Sequence, residues 1–282
     1  MPDATPVTEA PATLPHVQDL VGSPRVTTAN PTALITGGNR GIGQHLARAL
    51  ATERWNVLLG SRDRAKGESA AARLRKDTGG RVKAVELDVT SDASVATAAQ
   101  KLRDGAIRID ALVNNAGIYG ASTRGPDGAR RAIETNVFGP LRVTLALLPL
   151  LRDGATITNV TSGLGALANL DPSHRARLAD PALTRDALVE LMHDAIRTNG
   201  AGWGTDAYGI SKAALNALTR VLSVELAPRG IRVNATDPGW VRTDMGGRNA
   251  PRSIEQGAQS VRFGVTTTET GGVFHDGRRL KP

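Results

Sequence analysis

Tyr208, one of only two tyrosines in the chain, stands four residues ahead of Lys212 in a stretch that reads as helix. Four helical residues rise roughly 6 Å and return to nearly the same face, so the two side chains can meet. An ammonium beneath a phenol favours the ionised phenol, which is the wiring of a proton donor. A second constellation opens the domain. Gly37, Gly41 and Gly43 lie in the run Thr36-Gly37-Gly38-Asn39-Arg40-Gly41-Ile42-Gly43, after an apolar stretch and before a helical pattern. At such a turn, backbone N–H groups and the positive helix end attract a pyrophosphate. The spacing is G-x-x-x-G-x-G, distinct from the G-x-G-x-x-G dinucleotide motif, so these glycines need support from the rest of the chain.

The groups must be positioned by alternating elements. Short apolar runs at 33–36, 56–61, 83–88, 111–114, 155–161, 231–236 and 272–275 read as strands. Helical spacing of apolar residues fills 42–54, 64–76, 91–103, 129–147, 185–197 and 205–226. That alternation predicts the α/β class: a doubly wound, seven-stranded, mainly parallel sheet with helices on both faces. A single domain is expected over 32–282. Residues 1–31 hold six of the fifteen prolines and no apolar run long enough for a secretory or membrane-spanning segment, so a disordered tail and a cytoplasmic protein are expected.

Composition narrows the chemistry. With no cysteine, disulfides and thiolate metal sites are excluded, and the five histidines (16, 45, 174, 193, 275) are too scattered for a cage, so no metal is expected. His193 reads as structural. The formal charge is +8; Asp3, Glu9 and Asp19 against Arg25 give the tail −2, which leaves +10 on the rest. Nucleic-acid binding is compatible with that charge, yet there are few aromatics and no dense basic run, and an anionic cofactor is the better account.

Further motifs follow in order: Asp88-Val89 after the third strand, Asn114-Asn115-Ala116-Gly117 after the fourth, Asn136 on the next helix, Ser162 after the fifth. Tyr208 with Lys212 comes next, then Pro238-Gly239-Trp240-Val241-Arg242-Thr243 after the sixth. In this series the sequence resembles the short-chain dehydrogenase/reductase family along essentially all of 32–282. The stretches 134–139 and 238–245 look more narrowly like its carbonyl reductase branch.

The resemblance implies a Rossmann fold and an NADPH-dependent reductase of small apolar ketones, aldehydes or quinones. Tyr208 would give its proton to the carbonyl oxygen, Lys212 would supply the nearby cation and hold ribose hydroxyls, and Ser162 would hydrogen-bond the substrate oxygen. Asn136, through its backbone and a water, would complete a proton relay to Lys212. The implied cofactor contacts begin with Gly37, Asn39, Arg40, Gly41, Ile42 and Gly43, and continue with Arg62. Asp88 would meet the adenine edge with Val89 beside it, and Asn114, Ala116 and Gly117 the adenosine side. Pro238, Gly239, Trp240 and Val241 would flank the nicotinamide, with Thr243 bonding its carboxamide. Leu164, Leu167, Trp240 and Met245 suggest an apolar substrate pocket.

Three points stay open on the sequence. Arg40 and Arg62 favour the 2′-phosphate of NADP, whereas Asp63 would suit a bare ribose if the loop register differed by one. Asp237, where many relatives carry a small or neutral residue, reads either as a cap on the turn into Gly239 or as a buried acid near the nicotinamide. Forty-six positions separate Ser162 from Tyr208, which marks an insertion at about 163–204 with helix starts expected at Asp171-Pro172 and Asp180-Pro181. It is either a solvated lid or a segment packed across the helices that relatives use to dimerise, with its 200–204 edge at the substrate entrance; the second reading predicts a monomer. A dinucleotide-sensing or scaffolding protein on the same fold is the alternative to an enzyme.

Overall fold

The structure, a computed structural model, describes residues 30–281, and residues 1–29 of the expected tail lie outside the described residues. The first half runs β1 (Thr32–Ile35), α1 (Gly41–Thr52), β2 (Asn56–Ser61), α2 (Arg64–Thr78), β3 (Val82–Glu86), α3 (Asp92–Asp104) and β4 (Ile109–Asn114). Then come α4 (Gly128–Ile133), α5 (Gly139–Leu147), β5 (Leu151–Val160), α6 (Pro172–Ala179), α7 (Arg185–Arg197) and α8 (Ala207–Glu225). The chain closes with β6 (Arg232–Asp237), α9 (Ile254–Thr266), β7 (Val273–His275) and β8 (Arg278–Arg279). Among the described residues no helix is long and apolar enough to cross a membrane.

The strands pair in the order β3-β2-β1-β4-β5-β6-β7-β8. All pairs are parallel except β7 with β8. Alternation along each strand divides the core: Ala33 and Ile35 belong to one apolar cluster, Leu34 between them to the other. A strand buried on both faces must be apolar at every position, which is why these strands read as continuous runs. Strand order reverses between β1 and β4, so the carboxyl ends there open a crevice.

Three expectations are corrected. The sheet has eight strands, because after Asp276 (φ +47°) and Gly277 (φ +77°) the chain turns back and lays Arg278–Arg279 antiparallel on β7. The helix expected at 129–147 is broken by a wider π turn over Glu134–Phe138, which separates α4 from α5. Helix α9 was not foreseen, since Gly257 and Gly264 interrupt its pattern. Both glycines are set by packing: a Cβ at Gly257 would come within 2.6 Å of Val241, and one at Gly264 within 2.6 Å of Thr158 on β5.

The insertion is packed down. Asp171 caps α6 as expected, but Asp180 ends that helix instead of starting another, and Thr184 caps α7. The carboxylate of Asp180 instead accepts from the Ala182 N–H in a turn. Leu188, Leu191, Met192 and Ala195 of α7 join the main core, where α7 meets α4 and α8. Trp203, wholly buried, stacks on His174 at 3.9 Å, and its carbonyl accepts from Asp171 N–H, so the 200–204 loop is anchored to the start of the insertion.

Candidate active site

The glycine loop is shaped by crowding as much as by turning. Gly41 has φ +56°, a conformation few side-chain-bearing residues adopt, and faces Thr243. A Cβ at Gly43 would sit 2.5 Å from Asn115 Nδ2 and 2.9 Å from the Gly37 carbonyl oxygen. Asn115 is there for a reason: its Nδ2 donates to the carbonyls of Thr36 (2.8 Å) and Gly37 (3.1 Å). Thr36 Oγ1 in turn accepts from the backbone N–H groups of Asn115 and Ala116, both at 3.0 Å. Sequence reading gave neither residue a role, because a threonine at a strand end and a loop asparagine carry no spacing signal; the brace exists only between two distant loops.

Asn114 is corrected. Its side chain turns into the sheet, where Nδ2 donates to Asn159 (2.9 Å) and Thr144 (3.3 Å), and Asn159 donates on to Thr219 of α8. It ties β4, β5, α5 and α8 together beneath the crevice, and leaves any cofactor contact there to backbone and to Ala116 and Gly117. Asp88, half-buried past the end of β3, accepts from Thr90 at one carboxylate oxygen and so holds the turn beside Val89.

The three groups that bear on a 2′-phosphate separate cleanly. Asp63 caps α2, accepting from Lys66 N–H at 3.0 Å and pairing with Lys66 Nζ at 3.2 Å, and these bonds hold its carboxyl below the usual range. Arg40 is bonded to Asp244 at 2.8 Å across the mouth of the glycine loop. Arg62 is exposed and, among the described residues, has no hydrogen-bond or ion-pair partner. Of the two arginines, Arg40 alone is paired.

Tyr208 and Lys212 lie in the first turns of α8, which Asp206 caps through Gly209 N–H at 2.8 Å. Both are nearly buried. Lys212 Nζ donates to the Val160 carbonyl at 2.8 Å and sits 5.6 Å from the Tyr208 ring centre. Ser162, past the end of β5, stands beside the phenol and eases its ionisation, while its Oγ accepts from Leu164 N–H at 3.3 Å. The loop carrying it lies flush on α8 because Gly165 has no side chain; a Cβ there would come within 2.6 Å of the Lys212 backbone. Asn136 sits in the π turn, fully buried: Oδ1 accepts from Ile118 N–H (2.9 Å), and Nδ2 donates to Ile118 O (3.1 Å) and Ser211 Oγ (3.0 Å).

The electrostatics correct one expectation. Burial pushes the Tyr208 phenol up to about 12, with the neighbouring Ser162 hydroxyl pulling the other way and the Asp237 charge adding to the rise. Burial draws the Lys212 ammonium down to about 8, against the charge of Asp237. Desolvation of both groups thus outweighs the help an ammonium gives a phenolate, and Tyr208 is a neutral, proton-bearing phenol at neutral pH. Asp237 itself caps the turn, accepting from Gly239 N–H at 2.8 Å.

Around this centre the surface is apolar. Among the described residues, four of six exposed large hydrophobic residues, Tyr119, Leu164, Trp240 and Met245, stand on the loops after β4, β5 and β6. Tyr119 meets the Tyr208 ring edge-on at 4.5 Å. It went unremarked in the sequence, where nothing but position in space sets it apart. Leu167 is corrected: it packs against the main core instead of the rim. Thr243 Oγ1 accepts from Gly246 N–H, and Trp240 Nε1 donates to Gly246 O at 2.8 Å, which folds the loop after β6 toward the glycine turn.

Comparison with known proteins completes the description. A family model described as short chain dehydrogenase matches residues 31–201, and one described as enoyl-(acyl carrier protein) reductase matches 200–270. Carbonyl reductase (NADPH) 1 of Oryctolagus cuniculus is 35% identical over 244 residues, covering 81% of this chain and 88% of that protein. (+)-Neomenthol dehydrogenase of Arabidopsis thaliana is 34% identical over 264 residues, with 81% and 88% covered. Among solved structures, salutaridine reductase from Papaver somniferum superposes with a TM-score of 0.77 at 28% identity, covering 88% of this chain and all of that one.

Proposed function

We propose that this chain, which belongs to the short-chain dehydrogenase family, is an NADPH-dependent reductase that converts a small apolar ketone, aldehyde or quinone to its alcohol. The observation that carries the reading is Tyr208: a buried phenol held neutral, beside Ser162, one helical turn from Lys212, and open to an apolar rim. Names of similar proteins, carbonyl reductase (NADPH) 1 above all, support the same reaction and cofactor. So do the crowded glycine turn, which admits backbone close to a phosphate, and the unpaired Arg62 beyond β2.

In this reading NADPH, when bound, supplies the hydride. Ser162 orients the carbonyl oxygen and stabilises the charge that develops on it. Tyr208 gives that oxygen its proton, and a phenol near 12 keeps the proton until the oxygen becomes basic enough to take it. Lys212 returns positive charge beneath the phenol and holds the ribose. Asn136, by gripping Ile118 and Ser211, fixes the π turn that faces Lys212. Tyr119, Leu164, Trp240 and Met245 exclude water from the reacting face and favour substrates without charge near the carbonyl. A sensing protein would need the glycine loop and Arg62 and nothing of this constellation. Oxidation of NADPH followed across a panel of aromatic and alicyclic ketones, aldehydes and quinones tests the proposal; no turnover with any of them, in protein that binds NADPH, would favour the sensor.

A further inference from the structure

Lys212 is stored in an unfavourable place. It is nearly buried, and the hydrogen bond that holds its Nζ goes to a neutral carbonyl, that of Val160. A buried ammonium needs a compensating charge, or it loses its proton. Strand pairing supplies a candidate. β5 and β6 run in register with Val160 opposite Thr236, so Asp237 stands one residue beyond the partner of the very residue that receives Lys212. The Asp237 side chain is 12% exposed. Its Oδ1 is fixed by Gly239 N–H, while Oδ2 faces the Ser162 loop, 3.4 Å from where a Cβ on Gly163 would lie.

We propose that Asp237 is a positioning residue of the site, the buried counter-charge that keeps Lys212 an ammonium and Tyr208 a protonated phenol. The proposal rests on the roles given above to Lys212 and Tyr208, but it concerns a residue that the sequence left open between a turn cap and a buried acid near the nicotinamide. Asp237 is the charged group that acts on Lys212, opposing its loss of a proton, and it also opposes ionisation of Tyr208. Tyr119 and Asp206 act on the phenol in the same sense and do not reach Lys212. On the far side Asp237 is flanked by His275, whose Nδ1 lies 3.8 Å from Oδ2, and by Arg252, itself held bidentate by Asp276 at 2.6 and 2.8 Å. One carboxylate thereby bears on both members of the pair: it opposes the loss of the Lys212 proton and adds to the burial that keeps the proton on Tyr208.

The test is Asp237→Asn, which keeps an oxygen to accept from Gly239 N–H and removes only the charge. The chain has six lysines, so ¹⁵N-lysine labelling gives a spectrum in which Lys212 can be assigned by its own Lys212→Arg variant. Burial draws Lys212 down to about 8, and in Asp237→Asn it should titrate about one pH unit lower than in the parent. The alkaline limb of carbonyl reduction should move down with it, while the rate near pH 6, where Lys212 is charged in both proteins, changes far less. An Asp237→Ser variant, whose hydroxyl also accepts from Gly239, repeats the titration if the first is unstable. A Lys212 titration unmoved in either folded variant overturns the proposal, as does a rate loss equal at every pH, which is what a turn cap alone would give. Failure of the parent to reduce any carbonyl would sink the functional reading and leave the titration to decide the role of Asp237 by itself.

Discussion

Tyr208 keeps its proton at neutral pH because its surroundings are dry, and that makes its hydroxyl the most exacting atom in the site. Tyr208→Phe retains the ring, its edge contact with Tyr119 and the packing on α8. It removes the proton alone. Carbonyl reduction should fall by about 10²- to 10⁴-fold, the usual worth of a general acid, with NADPH affinity little changed. Steady-state rates beside a cofactor titration measure both, and a variant that kept a third of the parent activity would mean another group donates. Arg62 controls a different property. With Arg40 engaged by Asp244 and Asp63 capping α2, Arg62→Asp should weaken NADPH about ten- to a hundredfold and narrow the preference over NADH. An unchanged ratio of the two dissociation constants would return the 2′-phosphate to Arg40.

The elements show where a sequence speaks and where it is silent. Tyr208 and Lys212 stood out because they sit at a fixed helical offset, Ser162 entered only with the family resemblance, and the strands were legible because their apolar runs reflect burial on both faces. The π turn at Glu134–Phe138 was not, since one extra residue per turn leaves the apolar spacing of α4 and α5 nearly intact. Its anchor is Asn136. Substituting Asn136→Ala strips partners from the half-buried N–H and C=O of Ile118 and from buried Ser211, which should cost about 1–3 kcal/mol of folding free energy. Chemical denaturation checks this, and a midpoint equal to the parent's would show that the turn holds without it. The Thr36–Asn115 brace was invisible for another reason: it joins residues 79 apart, and no window along the chain contains both.

At the scale of the molecule, the insertion decides which surfaces remain. Helix α7 lies against α4 and α8 with its apolar face in the main core, so that face of α8 is already covered. Two copies cannot pair through it. The protein should run as a monomer, and light scattering coupled to size exclusion should give a mass near 29.5 kDa. A mass twice that, persisting at low micromolar concentration, would mean a dimer forms by some other face or that the insertion lifts away.

The two flanks of the sheet carry a consequence for life among other proteins. An open sheet ends in rows of unpaired peptide groups, and these are templates on which a foreign strand can add. Here one flank, β3, points Lys83 and Glu86 to solvent. The other, β8, is two residues long, and both are exposed arginines. Arg279 is held in place, its guanidinium near Glu269 and over the ring of Phe274. A strand arriving at either edge would have to bring its backbone against ionised side chains and would find little ladder to join. The same sheet that carries the crevice at its centre is thereby guarded at its margins against edge-to-edge aggregation.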